Sequence, residues 1–300
     1  MNLSNVVDLQ REYFFSGQTK TKEFRIENLK KLNNILEMFE DNILMALSKD
    51  LGKSNFEAYA SELTMVYDEI DLAIENLGKW MEPIQEKTSV ASMPAKSYTL
   101  YEPLGVTLIL SPWNYPFLLS IDPIIGAVAA GNTIILKTSR KSKNTTELLK
   151  DILNANFDPE YLFVVDNDQV SHDELLSYNY DHIFYTGGYK IGKHIMEVAS
   201  KNLTKVTLEL GGKSPTIVDK EANIGLAARS IAWGNTVNAG QTCVSPDYIL
   251  VHASIKEKFI NELQKALFDF YGPDSLNNHD YPKIIDESHL EKLVFLLENQ

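Results

Sequence analysis

From Pro103 onward the chain alternates short runs of Ile, Val, Leu and Phe with stretches of helical spacing, and this alternation constrains the fold more than any other feature. Apolar runs at 106–110, 133–136, 161–165, 182–185 and 206–210 read as buried strands. The intervening segments 117–130, 145–155, 171–177 and 191–200 read as helices. A strand that returns parallel to its neighbour needs a crossover of about a dozen residues or more, usually a helix. The expected fold class is therefore α/β, a doubly wound parallel sheet that binds its ligand beyond the carboxyl ends of the strands.

The flanks read differently. Between 21 and 49, and again between 57 and 80, apolar residues recur at helical spacing with Lys and Glu between them, which predicts long amphipathic helices. Residues 81–95 lose all periodicity and 97–101 resemble a short strand, so this stretch reads as an arm or hairpin. Gly211-Gly212 reads as a hinge into a second unit with strand 216–218, helix 222–236, loop 238–247, strand 248–251 and helix 255–270. The expected division is 1–82 with 102–210, an arm at 83–101, and a second domain at 211–300. In the last helix Leu290, Leu293, Val294 and Leu297 make an apolar face that needs covering, and the sequence reaches Gln300 without a Gly cap. A chain that ends before its domain does is the expectation.

Composition limits the partners. Hydrophobic residues at 44% and charged residues at 23% are those of an ordinary globular chain. A net charge of −13 repels nucleic acid and anionic lipid, while a small anionic cofactor can still be held by backbone N–H groups and a few cations. The most apolar region, 118–136, is interrupted by Asp122, Pro123, Gly126, Gly131 and Asn132, so no membrane segment is expected; residues 1–13 lack the apolar run of a secretory signal. A single cysteine excludes an intrachain disulfide and fits the reducing cytoplasm. No metal site is read.

Five segments carry chemistry, each with a plain structural alternative. Gly187-Gly188-Tyr189-Lys190-Ile191-Gly192 sits between a strand and a helix, where phosphate is favoured, but a glycine turn that merely admits the helix would look the same. Lys137 ends a strand at the ligand-binding edge; taken alone it reads more readily as a solvated loop cation. Cys243, in Gly240-Gln241-Thr242-Cys243-Val244-Ser245-Pro246, is either an inert buried thiol or, in its loop, a reachable nucleophile. Glu209 is an outward-facing strand carboxylate or, if inward and desolvated, a general base. Asn114 caps a helix or donates to an oxyanion.

Together, Pro112-Trp113-Asn114-Tyr115-Pro116, Lys137 after its strand, Tyr185-Thr186-Gly187-Gly188 with Gly192, Leu208-Glu209-Leu210-Gly211-Gly212-Lys213-Ser214-Pro215 and Gly240-Gln241-Thr242-Cys243 resemble the aldehyde dehydrogenase superfamily. The short N-terminal region and Pro246-Asp247-Tyr248 are most similar to its class 3, fatty and aromatic aldehyde, branch. The resemblance implies that Cys243 attacks the aldehyde, that Asn114 and the Cys243 backbone N–H hold the oxyanion, and that Glu209 activates the water that hydrolyses the thioester. It implies an NAD or NADP site formed by Trp113, Lys137, Arg140, Thr186, Gly187, Gly188, Gly192 and Leu210. It also implies a medium-chain or aromatic aldehyde substrate and a homodimer joined through the arm.

Two departures stand out. Relatives commonly carry Lys-Pro-Ser-Glu where this chain has Lys137-Thr138-Ser139-Arg140, so a carboxylate that binds ribose hydroxyls is replaced by a guanidinium that either meets a 2′-phosphate or points into solvent. The Glu-Ile-Phe-Gly-Pro motif and final strand of the family do not occur, which implies an incomplete catalytic domain. Alternatives are a phosphorylating or CoA-acylating relative, a chain that binds cofactor or a partner without turnover, and a cysteine hydrolase.

Overall fold

In the computed structural model, which describes residues 3–299, helix α1 (Leu3–Phe15) precedes the amphipathic region, which forms α2 (Lys22–Met38), α3 (Glu40–Leu51), α4 (Asn55–Ala58) and α5 (Thr64–Trp80). Gln300 lies outside the described residues. Thr21 caps α2 by accepting from the Phe24 N–H. Phe39 leaves helical geometry and separates α2 from α3. Between α4 and α5 the helix widens into one π turn at Tyr59–Leu63, and within it Glu62 is wholly buried.

The aperiodic stretch contains a strand that the sequence pattern does not reveal. Residues β1 (Ile84–Glu86) pair antiparallel with β2 (Ser97–Thr99) in a hairpin that leaves Ile84, Tyr98, Leu100 and Tyr101 exposed.

Then come β3 (Val106–Leu110), α6 (Leu118–Ala130), β4 (Thr133–Lys137), α7 (Lys143–Asn156), β5 (Leu162–Val164), α8 (His172–Leu176), β6 (His182–Gly187), α9 (Tyr189–Ala199) and β7 (Lys205–Leu210). The five strands form one parallel sheet in the order β5-β4-β3-β6-β7. Central β3 is buried at all five positions, as its unbroken apolar sequence requires of a strand covered on both faces. Ile109 joins the core under α2, α3, α5, α6 and α7. Leu108 and Leu110 face the opposite core, with Val6 and Val7 of α1 and Ile195 of α9. Because β4 and β5 lie to one side of β3, and β6 and β7 to the other, the strand order reverses between β3 and β6. Ligand crevices in open α/β sheets form at such a point.

Beyond β7, β8 (Ser214–Val218) and β9 (Pro246–Val251) pair in parallel, with α10 (Ile224–Thr236) and α11 (Lys256–Tyr271) packed over them through Val218, Ala228, Ile231 and Phe259. Ile217, Tyr248 and Leu250 on these strands are exposed. The apolar residues Leu290, Leu293, Val294 and Leu297 lie on α12 (Glu287–Glu298) and are likewise exposed.

Asp50 ties α3 to the start of α7, accepting from the Asn144 and Thr145 backbone N–H groups at 3.0 and 2.8 Å and from both side chains. It serves as the anionic cap that Ser142 does not supply. Asp50→Ala strips four bonds at a buried helix end and is expected to lower unfolding free energy by ~2–4 kcal/mol, checked by urea titration.

Candidate active site

The chain leaves β3 at the sheet's reversal point through Ser111 to Pro116 and meets the loop that carries the single cysteine. The Asn114 amide donates one N–H to the Gln241 carbonyl at 2.9 Å, which leaves its second N–H for another acceptor. Next to it, the Tyr115 hydroxyl and Thr242 Oγ1 are hydrogen-bonded at 2.6 Å. Burial pushes the Tyr115 phenol up to about 12, so it stays protonated. The sequence-predicted Asn114 and the residues just before Cys243 are thus in direct contact.

The cysteine loop is held in an unusual conformation. Asn238, Ala239 and Gly240 all have left-handed φ angles of 55°, 53° and 75°. For Ala239 this costs roughly 1–3 kcal/mol, offset by surrounding contacts. The Asn238 N–H donates to Glu57 at 2.7 Å and its side chain donates to the Asn114 carbonyl at 2.7 Å. The Gln241 side chain donates to the Asn238 and Lys283 carbonyls and accepts from the Ile285 N–H. The loop delivers Cys243 exposed, so the inert buried reading does not apply. A Cβ on Gly212 would lie 2.7 Å from the Cys243 carbonyl oxygen, so only glycine lets the segment after β7 pass this closely.

Glu209 stands on edge strand β7 in register with Thr186 of β6, and it is exposed. The outward-facing reading fits this position; the inward, desolvated alternative does not.

The remaining sequence-predicted residues line the carboxyl edge of the sheet. Lys137 is only 4% exposed, which corrects its reading as a solvated loop cation. It ends β4, and its Nζ reaches the Thr138 carbonyl at 3.4 Å. Burial, with Arg140 adding to it, pushes its pKa down to about 8. Arg140 is exposed yet anchored, because two of its guanidinium nitrogens donate to the Asn167 carbonyl. Burial and the same two cations push His172 down as well.

Across the sheet, the Thr186 hydroxyl is buried without a hydrogen-bond partner. Gly188 begins α9 with no side-chain cap and open space beside it, while Gly192 presses against Leu210. Trp113 meets the His289 ring of α12 edge-on, with centroids 4.7 Å apart. A buried cation bonded only to a carbonyl, an orphaned hydroxyl and an uncapped helix start fit an anionic nucleotide with its sugar hydroxyls.

Sequence reasoning missed Lys53, Glu57, Glu62 and Asn167, which hold these loops but stand in no motif. Among the described residues no group of three metal-ligating side chains occurs, and no helix is long and apolar enough to cross a membrane.

Residues 7–300 match the model of the aldehyde dehydrogenase family. The chain is 43% identical over 289 residues to 4,4'-diaponeurosporen-aldehyde dehydrogenase of Staphylococcus aureus, covering 96% of this chain and 63% of that protein. It is 42% identical over 300 residues to the dimeric NADP-preferring aldehyde dehydrogenase of Canis lupus familiaris, covering 99% and 66%. The structure of the substrate-bound state of Staphylococcus aureus AldH superposes with a TM-score of 0.94 at 41% identity, over 99% of this chain and 65% of that one. The chain spans 60 to 66% of the length of such curated relatives.

Folding disfavours the Lys137 ammonium, so the residue costs stability while protonated in both states. The cost shrinks as pH rises above the folded value of about 8 and vanishes near the unfolded value of 10.5. Lys137→Met is therefore expected to stabilise the free protein at pH 7 by ~1–3 kcal/mol, an advantage fading between pH 8 and 10.5 in urea titrations.

Proposed function

Because the chain belongs to the aldehyde dehydrogenase family, we propose that it carries the machinery for NAD(P)-dependent oxidation of an aldehyde to a carboxylic acid at Cys243. The observation that carries this reading is the contact between Asn114 and Gln241 of the cysteine loop, which leaves one amide N–H free two residues along from an exposed thiol. Cys243 attacks as thiolate: the Sγ–C bond forms and the carbonyl electron pair moves to oxygen. The free Asn114 N–H and the Cys243 backbone N–H receive that oxyanion. Lys137, Arg140, Thr186 and the Gly187-Gly188 turn would hold the cofactor, with Trp113, Gly192 and Leu210 shaping its site. When bound, the nicotinamide supplies a hydride acceptor. The acyl group left on Sγ is a thioester. The base role of Glu209 rests on the family resemblance and not on desolvation, since its carboxylate stands in solvent: it takes a proton from water, the water oxygen attacks, the C–S bond breaks, and acid and thiolate separate.

The similarity to class 3 relatives supports a medium-chain or aromatic aldehyde. Residues 1–82 with 102–210 are assigned to cofactor binding and 211–300 to the catalytic unit. The hairpin within 83–101, with its exposed Ile84, Tyr98 and Tyr101, is assigned to a homodimer contact. A single exposed thiol fits the cytoplasm.

Rapid mixing with aldehyde tests the chemistry. Cys243→Ser is expected to abolish formation of reduced cofactor. Glu209→Gln should retain a stoichiometric burst and lose steady turnover by roughly a hundredfold. Turnover that needs added CoA or phosphate and yields acyl-CoA or acyl phosphate in place of free acid would assign the chain to an acyl-transferring relative instead.

Cofactor choice is read at Arg140. Its guanidinium is tied to Asn167 beside Lys137, and NADP is expected to bind with no hundredfold preference for NAD. Arg140→Glu should weaken NADP relative to NAD by about tenfold or more in fluorescence titrations.

A further inference from the structure

Lys53 and Glu62 form an ion pair whose side chains are both 0% exposed, with Nζ to Oε1 at 2.6 Å, and the chemistry above uses neither. A buried pair is weak evidence for stability, because well-packed apolar residues often serve as well. Its contacts all converge on one segment. The second oxygen of Glu62 accepts from the Phe117 and Leu118 N–H groups, both at 3.0 Å, at the start of α6. Lys53 Nζ lies 3.5 Å from the Asn114 carbonyl and 4.1 Å from the centre of the Tyr115 ring. The π turn brings Glu62 to this place, and such turns recur where helices serve function. Residues 114–118 are thus gripped at both ends by one charge pair. The same segment touches the cysteine loop twice, Asn114 to Gln241 and Tyr115 to Thr242.

We propose that Lys53 and Glu62 are positioning residues that fix the Asn114 amide and the Tyr115 hydroxyl against the Cys243 loop, so that the free amide N–H is aimed before an oxyanion forms. The proposal rests on the reading of Asn114 given above. It requires charge-assisted bonds because a neutral pair would grip the carbonyl and the two N–H groups less firmly.

Acylation of Cys243 by p-nitrophenyl acetate tests this without cofactor, since the attack of sulfur on the ester also generates an oxyanion. The 300-residue chain is compared with Asn114→Ala, with Lys53→Met/Glu62→Gln, and with all three substitutions together. The paired variant leaves no lone buried charge and keeps an oxygen to cap α6, so it is expected to fold with a native circular dichroism spectrum. Asn114→Ala is expected to slow nitrophenolate release by about 30-fold or more. The paired variant should slow it by roughly tenfold with the ester concentration dependence unchanged, and the triple variant should stay within about twofold of Asn114→Ala, as residues acting through one group do not add. Should the paired variant not fold, Glu62→Asp is measured instead: it keeps both charges but draws the carboxylate back by one methylene from the Phe117 and Leu118 N–H groups, and a loss of about fivefold or more is expected. An Asn114 effect combined with an indifferent paired variant, or losses that multiply, would overturn the proposal alone. Indifference of Asn114→Ala would overturn the reading of Asn114 and the proposal with it.

Discussion

A parallel sheet sends the carboxyl ends of all its strands to one edge, and nearly everything of chemical interest in this chain follows from that geometric constraint. β3 is buried along its length and pairs in parallel with a strand on either side. Every return therefore runs through a helix on one face or the other. The segment after β3, the lysine ending β4 and the glycine turn after β6 are consequently neighbours in space despite their distance in sequence.

The second unit contributes its cysteine by a different device. Left-handed residues are unfavourable in isolation, and the loop adopts three in succession because Glu57, Asn114 and the chain near Lys283 supply partners for its polar groups. Strain at one place is balanced by hydrogen bonds from three others, so the loop is defined by the fold as a whole. The two halves of the proposed chemistry are accordingly joined by hydrogen bonds: the amide comes from the sheet edge, and the thiol from a loop locked against it.

The strands were legible because buried parallel strands are continuous apolar runs bounded by turn residues, and the five of the main sheet fall where the runs fall. β1 was not legible, since three exposed residues in a hairpin carry no hydrophobic signature. Motif residues on the sheet edge could be picked out by type, but not their environments. Lys137 is enclosed by tertiary packing at the sheet edge, where Asn167 bonds to the adjoining Thr138, and that leaves no local trace. Glu209 keeps its carboxylate in solvent, which an alternating strand permits but does not dictate. Glu62 falls at a helical position whose inward turn depends on a π distortion, and helical periodicity counted in regular turns gives no sign of that. The apolar face of α12 was plain from its spacing, although the structure leaves it exposed.

These 300 residues hold one sulfhydryl, and it lies at the surface within reach of oxidants. Peroxide that converts Cys243 to a sulfenic acid would find no second cysteine in the chain with which to close a disulfide. Protection would come from a backbone nitrogen, as a sulfenamide, or from a thiol outside these residues, and over-oxidation would proceed at the atom on which the proposed reaction begins. The ratio of free thiols to peroxide around the molecule would then set how long it keeps working.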